Sequence, residues 1–267
     1  MGPALLLRAL FKRARHPGSM TELTTSYRLD GLPLNDIARY RAAFGFSDER
    51  VPLTWWYLLA QRAHLATMLG PGFPFRIAGL VHMDNALRAF QEPAPSEPLL
   101  IETVLRLSPP SSSGALRCVL ETTGSAIGKP VFSCTSTYMI RRGAGVGNKR
   151  QEAPAPDGTA IAQWTLDAAA GRRYARLSGD WNPIHLTGWS ARLMGMRAPI
   201  IHGMHTLGAS CAALERETGR PAIAIDCRFR APVALGSSVV LALDASAGDF
   251  TVSAAGNPAV TGSVVLA

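Results

Sequence analysis

At 267 residues the chain exceeds a typical single domain and fits two modules of about 100 to 150 residues, so its length alone suggests an internal duplication. Apolar residues make up 47% and charged residues 17%, and no uninterrupted apolar run reaches the ~18 residues of a membrane-spanning helix, which excludes a disordered chain and a helical membrane protein. The net charge of +8 favours anionic partners; with no helix-turn-helix signal, no zinc-finger spacing and no basic stripe interleaved with aromatics, nucleic acid is not expected among them, and a polyphosphorylated small molecule suits the scattered arginines.

Residues 1–19 read as a basic extension. Within it, Ala4 to Arg15 is acid-free and amphipathic, which leaves an organelle transit peptide, a helix lying on the fold and a membrane-surface segment open. A secretory signal does not fit, since Arg8 interrupts the apolar run and the basic residues follow it; a cytoplasmic protein is the default. In the first portion, 20–142, the patterns predict helices over Leu53–Leu69 and His82–Phe90 and strands over Leu99–Leu107, Ala115–Thr123 and Val131–Arg141. Residues 143–158 carry almost no large apolar side chains and concentrate Gly, Pro and charge, which marks a linker. In the second portion, 159–267, Met204, Leu207, Cys211 and Leu214 recur at three- and four-residue steps, predicting a helix over His202–Glu217 with Gly219 as terminator. Strands are expected at Ala222–Arg230, Ser238–Ala245 and Ala259–Ala267.

A helix followed by several antiparallel strands, given twice, implies an α+β fold of two sheets that each wrap a helix. No Gly-rich phosphate loop of the G-x-G-x-x-G or G-x-x-x-x-G-K-[ST] type occurs. Cys118, Cys134, Cys211 and Cys227 lie far apart with no C-x-x-C pair, so they read as reduced, buried thiols rather than a metal or redox site.

The segment with chemical content is Tyr174-Ala-Arg-Leu-Ser-Gly-Asp180-Trp-Asn182-Pro-Ile-His185. Asn182 followed by Pro183 is a helix start, with Asn as cap and Pro at the first helical position. The Asp180 carboxylate then lies just before a helix and the His185 imidazole within its first turn, so the two converge on one point. Such a pair can share a water molecule, one group removing a proton while the other supplies one. Hydration of a 2-enoyl thioester needs that water at C3, a proton at C2 and a donor for the enolate-like oxygen at the thioester carbonyl. The third element is Pro199-Ile-Ile-His-Gly203-Met204, an apolar run turning through glycine into the long helix. The first amides of a helix lack internal partners and sit at the positive end of its dipole, and glycine permits close approach, so the Gly203 amide is assigned to the carbonyl.

These two motifs closely resemble the hydratase motif of the MaoC-like family, the (R)-specific enoyl-CoA hydratases and 3-hydroxyacyl-thioester dehydratases of hotdog fold. The resemblance covers roughly 165–267, Phe229-Arg-Ala-Pro-Val233 included. The first half resembles the degenerate N-terminal hotdog of two-hotdog members, carried by Val51-Pro-Leu-Thr54, Phe73-Pro-Phe75 and Val81-His-Met-Asp-Asn85. The resemblance implies a double hotdog, water activation by Asp180 and His185, an oxyanion donor at Gly203, and support from Asn182 and Ser178. It implies neither metal nor resident cofactor, coenzyme A or acyl carrier protein serving only as substrate carrier. Aligned by eye, Gly45 corresponds to Gly179, Phe46 falls at Asp180, Thr54 falls at His185, and His82-Met83 lacks the oxyanion glycine, which leaves one active site per chain. Trp55 to Leu59 reads as core packing of a helix or as a wall of room for a longer acyl tail.

Arg230, Ile201 and Met204 are candidates for substrate contact, Arg230 for a phosphate of the carrier. A hotdog acyl-thioesterase and a catalytically silent acyl-CoA-binding subunit are the competing readings; the Asp-x-Asn-Pro-x-His order disfavours the first and the intact Asp180 and His185 the second. Two hotdogs in one chain mimic the dimer of single-hotdog enzymes, so a monomeric pseudo-dimer and a homodimer both remain open.

Overall fold

The computed structural model describes residues 8–9, 12–13, 22–109, 115–140 and 158–267. Most of the 1–19 extension, and the expected linker apart from Gly158, lie outside the described residues. The chain divides into two compact units, one taking residues 3–33 and 56–153, the other 1–2, 34–55 and 154–267. The division does not follow the linker: a segment of the first portion, 34–55, belongs with the second. None of the described helices is long and apolar enough to cross a membrane.

The first unit contains a five-stranded antiparallel sheet. Its strands are β1 (Glu22–Leu29), β2 (Val81–Ala89), β3 (Leu99–Leu107), β4 (Leu116–Ala126) and β5 (Lys129–Ile140), in the order β1-β3-β4-β5-β2. Side chains of β3 and β4 alternate between buried and outward positions, the two-residue period of a sheet with one face on a core. Leu105, Leu116, Cys118 and Leu120 meet Met68, Phe73 and Phe75 there. The residues after Trp55 of helix α2 (Leu53–Leu69) also belong to this unit, and Trp56 stacks on Phe132 with ring centroids 5.1 Å apart. Lys12 donates to the carbonyls of Met68 and Gly70 at the end of that helix, where the dipole favours a cation.

The helix expected at His82–Phe90 is a strand. Met83, Leu87 and Phe90 sit at helical spacing, but Val81–Ala89 pairs with β5 through a bulge between His82 and Asp84, and Phe90 is exposed. What disguises the strand is a polar residue on its core face: buried Asn85 donates to Ser136 Oγ at 2.9 Å, breaking the apolar alternation that identifies strands in sequence.

The second unit repeats the arrangement. Strands β6 (Thr159–Thr165), β7 (Ala222–Phe229), β8 (Ser238–Asp244), β9 (Asp249–Ala254) and β10 (Asn257–Leu266) form an antiparallel sheet in the order β7-β10-β9-β8-β6. Its long helix is α5 (Gly203–Thr218), preceded by α3 (Ala170–Ser178) and α4 (Gly188–Leu193). Helix α1 (Leu34–Phe44) packs on α3 and α5. Gly208 of α5 makes that approach possible, since a Cβ there would lie 2.8 Å from the Tyr40 hydroxyl and 3.1 Å from the Phe44 ring. All four cysteines are buried thiols, none in a disulfide.

Both portions run strand, helix, connection, helix, four strands. The connections differ. Gly45 and Gly179 both end a helix in the left-handed conformation, at φ 73° and 75°, but 45–52 leads directly into α2, whereas 179–202 carries a turn and α4 before α5. This order corrects the alignment by eye. Thr54 is the second residue of α2 and matches Met204 in α5, not His185, and His82 lies on a strand rather than at a helix start. Among the described residues, the first portion has no segment equivalent to the one bearing His185.

Candidate active site

Helix α3 buries Tyr174, Ala175 and Ser178 while Arg173 and Arg176 face outward, and Gly179 stops it directly before Asp180. The buried Ser178 hydroxyl donates to the Tyr174 carbonyl at 2.9 Å and accepts the Asp180 amide at 3.1 Å. Asp180 Oδ1 accepts the Asn182 amide at 3.1 Å, closing an Asx turn. Asn182 caps a single 3-10 turn, Pro183–His185, accepting the Ile184 amide at 3.4 Å. Ser178 and Asn182 therefore both hold the backbone on either side of Asp180.

Three contacts that no local pattern announces fix where this turn sits. A Cβ on Gly171 would lie 1.9 Å from the His185 carbonyl oxygen, so α3 backs onto the turn at a distance only glycine allows. The Arg172 guanidinium donates to the Leu186 carbonyl at 2.9 Å, and Ser190 Oγ of α4 donates to the Pro183 carbonyl at 2.8 Å.

A carboxylate oxygen of Asp180 and one ring nitrogen each of His185 and His202 lie within 4.8 Å of one another, with both imidazoles buried and Asp180 partly accessible. Nδ1 of His185 is 2.9 Å from the Ile200 carbonyl oxygen. A carbonyl only accepts, so Nδ1 carries the proton and Nε2 of the neutral ring presents a lone pair. Burial pushes the His185 pKa down from 6.5, opposed by the Asp180 charge and the Ile200 hydrogen bond. His202 lies under His185, ring centroids 3.6 Å apart and planes 26° apart, and its Nε2 is 3.0 Å from the Asp180 carbonyl oxygen. Burial, with His185 alongside, holds His202 well below the usual histidine range.

These three residues are the only described group able to hold a metal. Their placement suits one poorly: each ring has a nitrogen committed to a carbonyl, and lone pairs in two stacked planes 3.6 Å apart do not converge on an ion about 2.0–2.1 Å from both.

Gly203 opens α5 immediately after His202, and among the described residues its amide donates to no group. A Cβ there would meet the Phe229 ring at 2.6 Å. The helix N-terminus thus offers a free, dipole-aligned N–H next to the imidazole pair. Ile201 and Met204, on either side, are buried, and the Ile201 amide donates to the Val233 carbonyl at 2.8 Å. Arg230 is not brought to this cluster by any described bond; its Nε donates to Thr261 Oγ1 at 3.2 Å.

Residues 151–252 match the family described as MaoC like domain. The chain is 26% identical over 222 residues to 3-hydroxyacyl-thioester dehydratase X of Mycobacterium tuberculosis, covering 80% of this chain and 78% of that protein. The crystal structure of that dehydratase superposes with a TM-score of 0.72 at 24% identity, over 91% of this chain and 99% of the other. Enoyl-CoA hydratase 2 of Arabidopsis thaliana, a peroxisomal protein, is 29% identical over 160 residues, 54% of this chain and 52% of the relative. A Mycobacterium tuberculosis protein described as a double hotdog superposes with a TM-score of 0.60 at 16% identity, over 93% of this chain and 97% of the other. The segment that carries the Asp180–His185 turn thus matches the MaoC like domain family, and the paired helix-and-sheet units have the double hotdog fold.

Proposed function

We propose that this chain catalyses the reversible hydration of trans-2-enoyl thioesters to (R)-3-hydroxyacyl thioesters, carried on coenzyme A or an acyl carrier protein. The observation that carries the reading is the spacing of the acid-base pair. Two groups bonded to one water molecule at about 2.8 Å each stand about 4.5 Å apart, and the Asp180 and His185 atoms lie within 4.8 Å.

In the hydration direction the lone pair on His185 Nε2 takes a proton as the water oxygen bonds to C3. The C2–C3 π pair moves toward the thioester carbonyl, whose developing negative charge the Gly203 amide receives. The Asp180 carboxylate orients the water and stabilises the imidazolium, which returns the proton to C2, leaving the pair as it began. Dehydration is the reverse. Water and these groups balance the reaction without a cofactor.

The test is incubation with crotonyl-CoA, following the conjugated enone absorbance and the chirality of the product. Loss of absorbance with an (R)-3-hydroxy product is expected. Release of free thiol without hydration would establish a thioesterase instead, and an (S) product would overturn the stereochemistry.

A further inference from the structure

Building on the hydratase reading, we propose that His202 is a positioning residue that holds the Asp180 backbone by a hydrogen bond from Nε2 and supports the His185 ring from below. Its ring is almost wholly buried, yet Nδ1 makes no hydrogen bond among the described residues. A histidine kept with one nitrogen unsatisfied costs stability that an apolar residue of similar shape would not. The groups it touches are those the proposed chemistry uses.

The Asp180 carbonyl is its acceptor, so Nε2 carries the proton and the ring is neutral. This bond completes the immobilisation of Asp180, whose amide already donates to Ser178 Oγ. The carboxylate is one rotatable side chain from that anchored backbone. The His202 ring meanwhile covers one face of His185 at 3.6 Å, which leaves the Nδ1 bond to Ile200 to set rotation in the ring plane. Because His202 also precedes Gly203, one residue links base, acid and oxyanion donor.

The titratable groups facing this pair are Asp180 on the turn, Tyr174 on α3 and His205 on α5. Tyr174, whose ring centroid is 4.9 Å from that of His202, has its pKa pushed well up by burial, and burial pushes His205 down to about 4, so both stay neutral at neutral pH. Arg173 reaches His205 electrostatically and is paired with Asp167. Asp180 is thus the charge that acts on His185.

The experiment compares His202→Gln, His202→Asn and His202→Phe in steady-state hydration across pH. The Gln amide nitrogen reaches the Nε2 position and retains the donor, the shorter Asn amide does not, and Phe keeps the ring without any donor. Misplacing a reacting group by about 1 Å costs up to about 100-fold. Asn and Phe should each lower kcat about 10- to 100-fold with KM little changed, and Gln should recover most of it. When Asp180 drifts from His185 its charge no longer raises the His185 pKa, so the acidic limb of kcat/KM should move to lower pH in Asn and Phe and stay in Gln. An active wild type whose Asn variant keeps both kcat and the limb would overturn the positioning role. So would equal loss in Gln and Asn with an unmoved limb. A wild type that hydrates no enoyl thioester overturns the function instead. If the Phe variant does not fold, the Gln and Asn pair decides the matter.

Discussion

Glu215 and Ser47, 168 residues apart in sequence, are joined twice: Glu215 Oε1 accepts the Ser47 amide at 2.6 Å and the Ser47 hydroxyl at 2.8 Å. The same oxygen accepts the Asp48 amide at 2.8 Å, and Glu215 is buried. The connection that in the second portion carries the acid-base pair is here short and tied to the end of α5. Glu215→Ala strands three donors; a hydrogen bond to a charged group contributes about 1.5–3 kcal/mol, but Ser47 is exposed and water can take up part of the loss, so the total cost should be about 2–4 kcal/mol. Glu215→Gln, which keeps an acceptor oxygen, should cost less. Urea unfolding of both variants checks the order, and an unchanged midpoint in Glu215→Ala would count against the clamp.

Asp180→Asn retains shape and the bond to the Asn182 amide while removing the charge, and His185→Ala removes the base. Each should lower kcat by at least about 100-fold without shifting the thermal midpoint by more than a few degrees. Retained turnover in either would reject the assigned role.

The two tight glycines should behave differently. At Gly203 the obstacle is the Phe229 ring, a side chain that can turn away, so Gly203→Ala should mainly displace the oxyanion donor and cost about 10- to 100-fold in kcat. At Gly171 the obstacle is the His185 carbonyl at 1.9 Å, and backbone has no such freedom. Gly171→Ala should therefore lower both the melting temperature and kcat, the second because the base itself moves. Comparison of melting curves with turnover separates the two.

Buried neutral histidines predict a specific acid sensitivity. Burial pushes His64 down to about 3 and His82 and His205 down to about 4, from 6.5. Between these values and 6.5 the unfolded chain binds more protons than the folded one, so stability is fully present above pH 6.5 and falls as pH drops toward 4. Each group contributes at most about 1.4 kcal/mol per pH unit within that window. Urea midpoints measured between pH 7.5 and 4 should decline steadily below 6.5; a flat profile would contradict burial of these rings in neutral form.

Much of the site was legible because it is local in sequence. Asp180, Asn182 and Pro183 specify an Asx turn and a helical cap within six residues, and Gly203 heads a helix whose three- and four-residue spacing is plain. Gly171 and His202 were not singled out. Their roles depend on which backbone and which ring they face, at His185 O and at the Asp180 carbonyl, and neither neighbour is near in sequence.

The same division governs the fold. Alternation in Leu99–Leu107 and the helical stripe of α5 are properties of one segment facing one core, so local pattern alone sets them, and the Asp180–His185 turn carries the resemblance to the MaoC-like family. Tertiary structure decided the rest. Val81–Ala89 became a strand because β5 completes its backbone hydrogen bonds around a buried Asn85, and 34–55 joined the second unit because Tyr40, Phe44 and Ser47 find their partners on α3 and α5. Pairing and docking are satisfied by residues far away in the chain, and no local pattern records which ones they are.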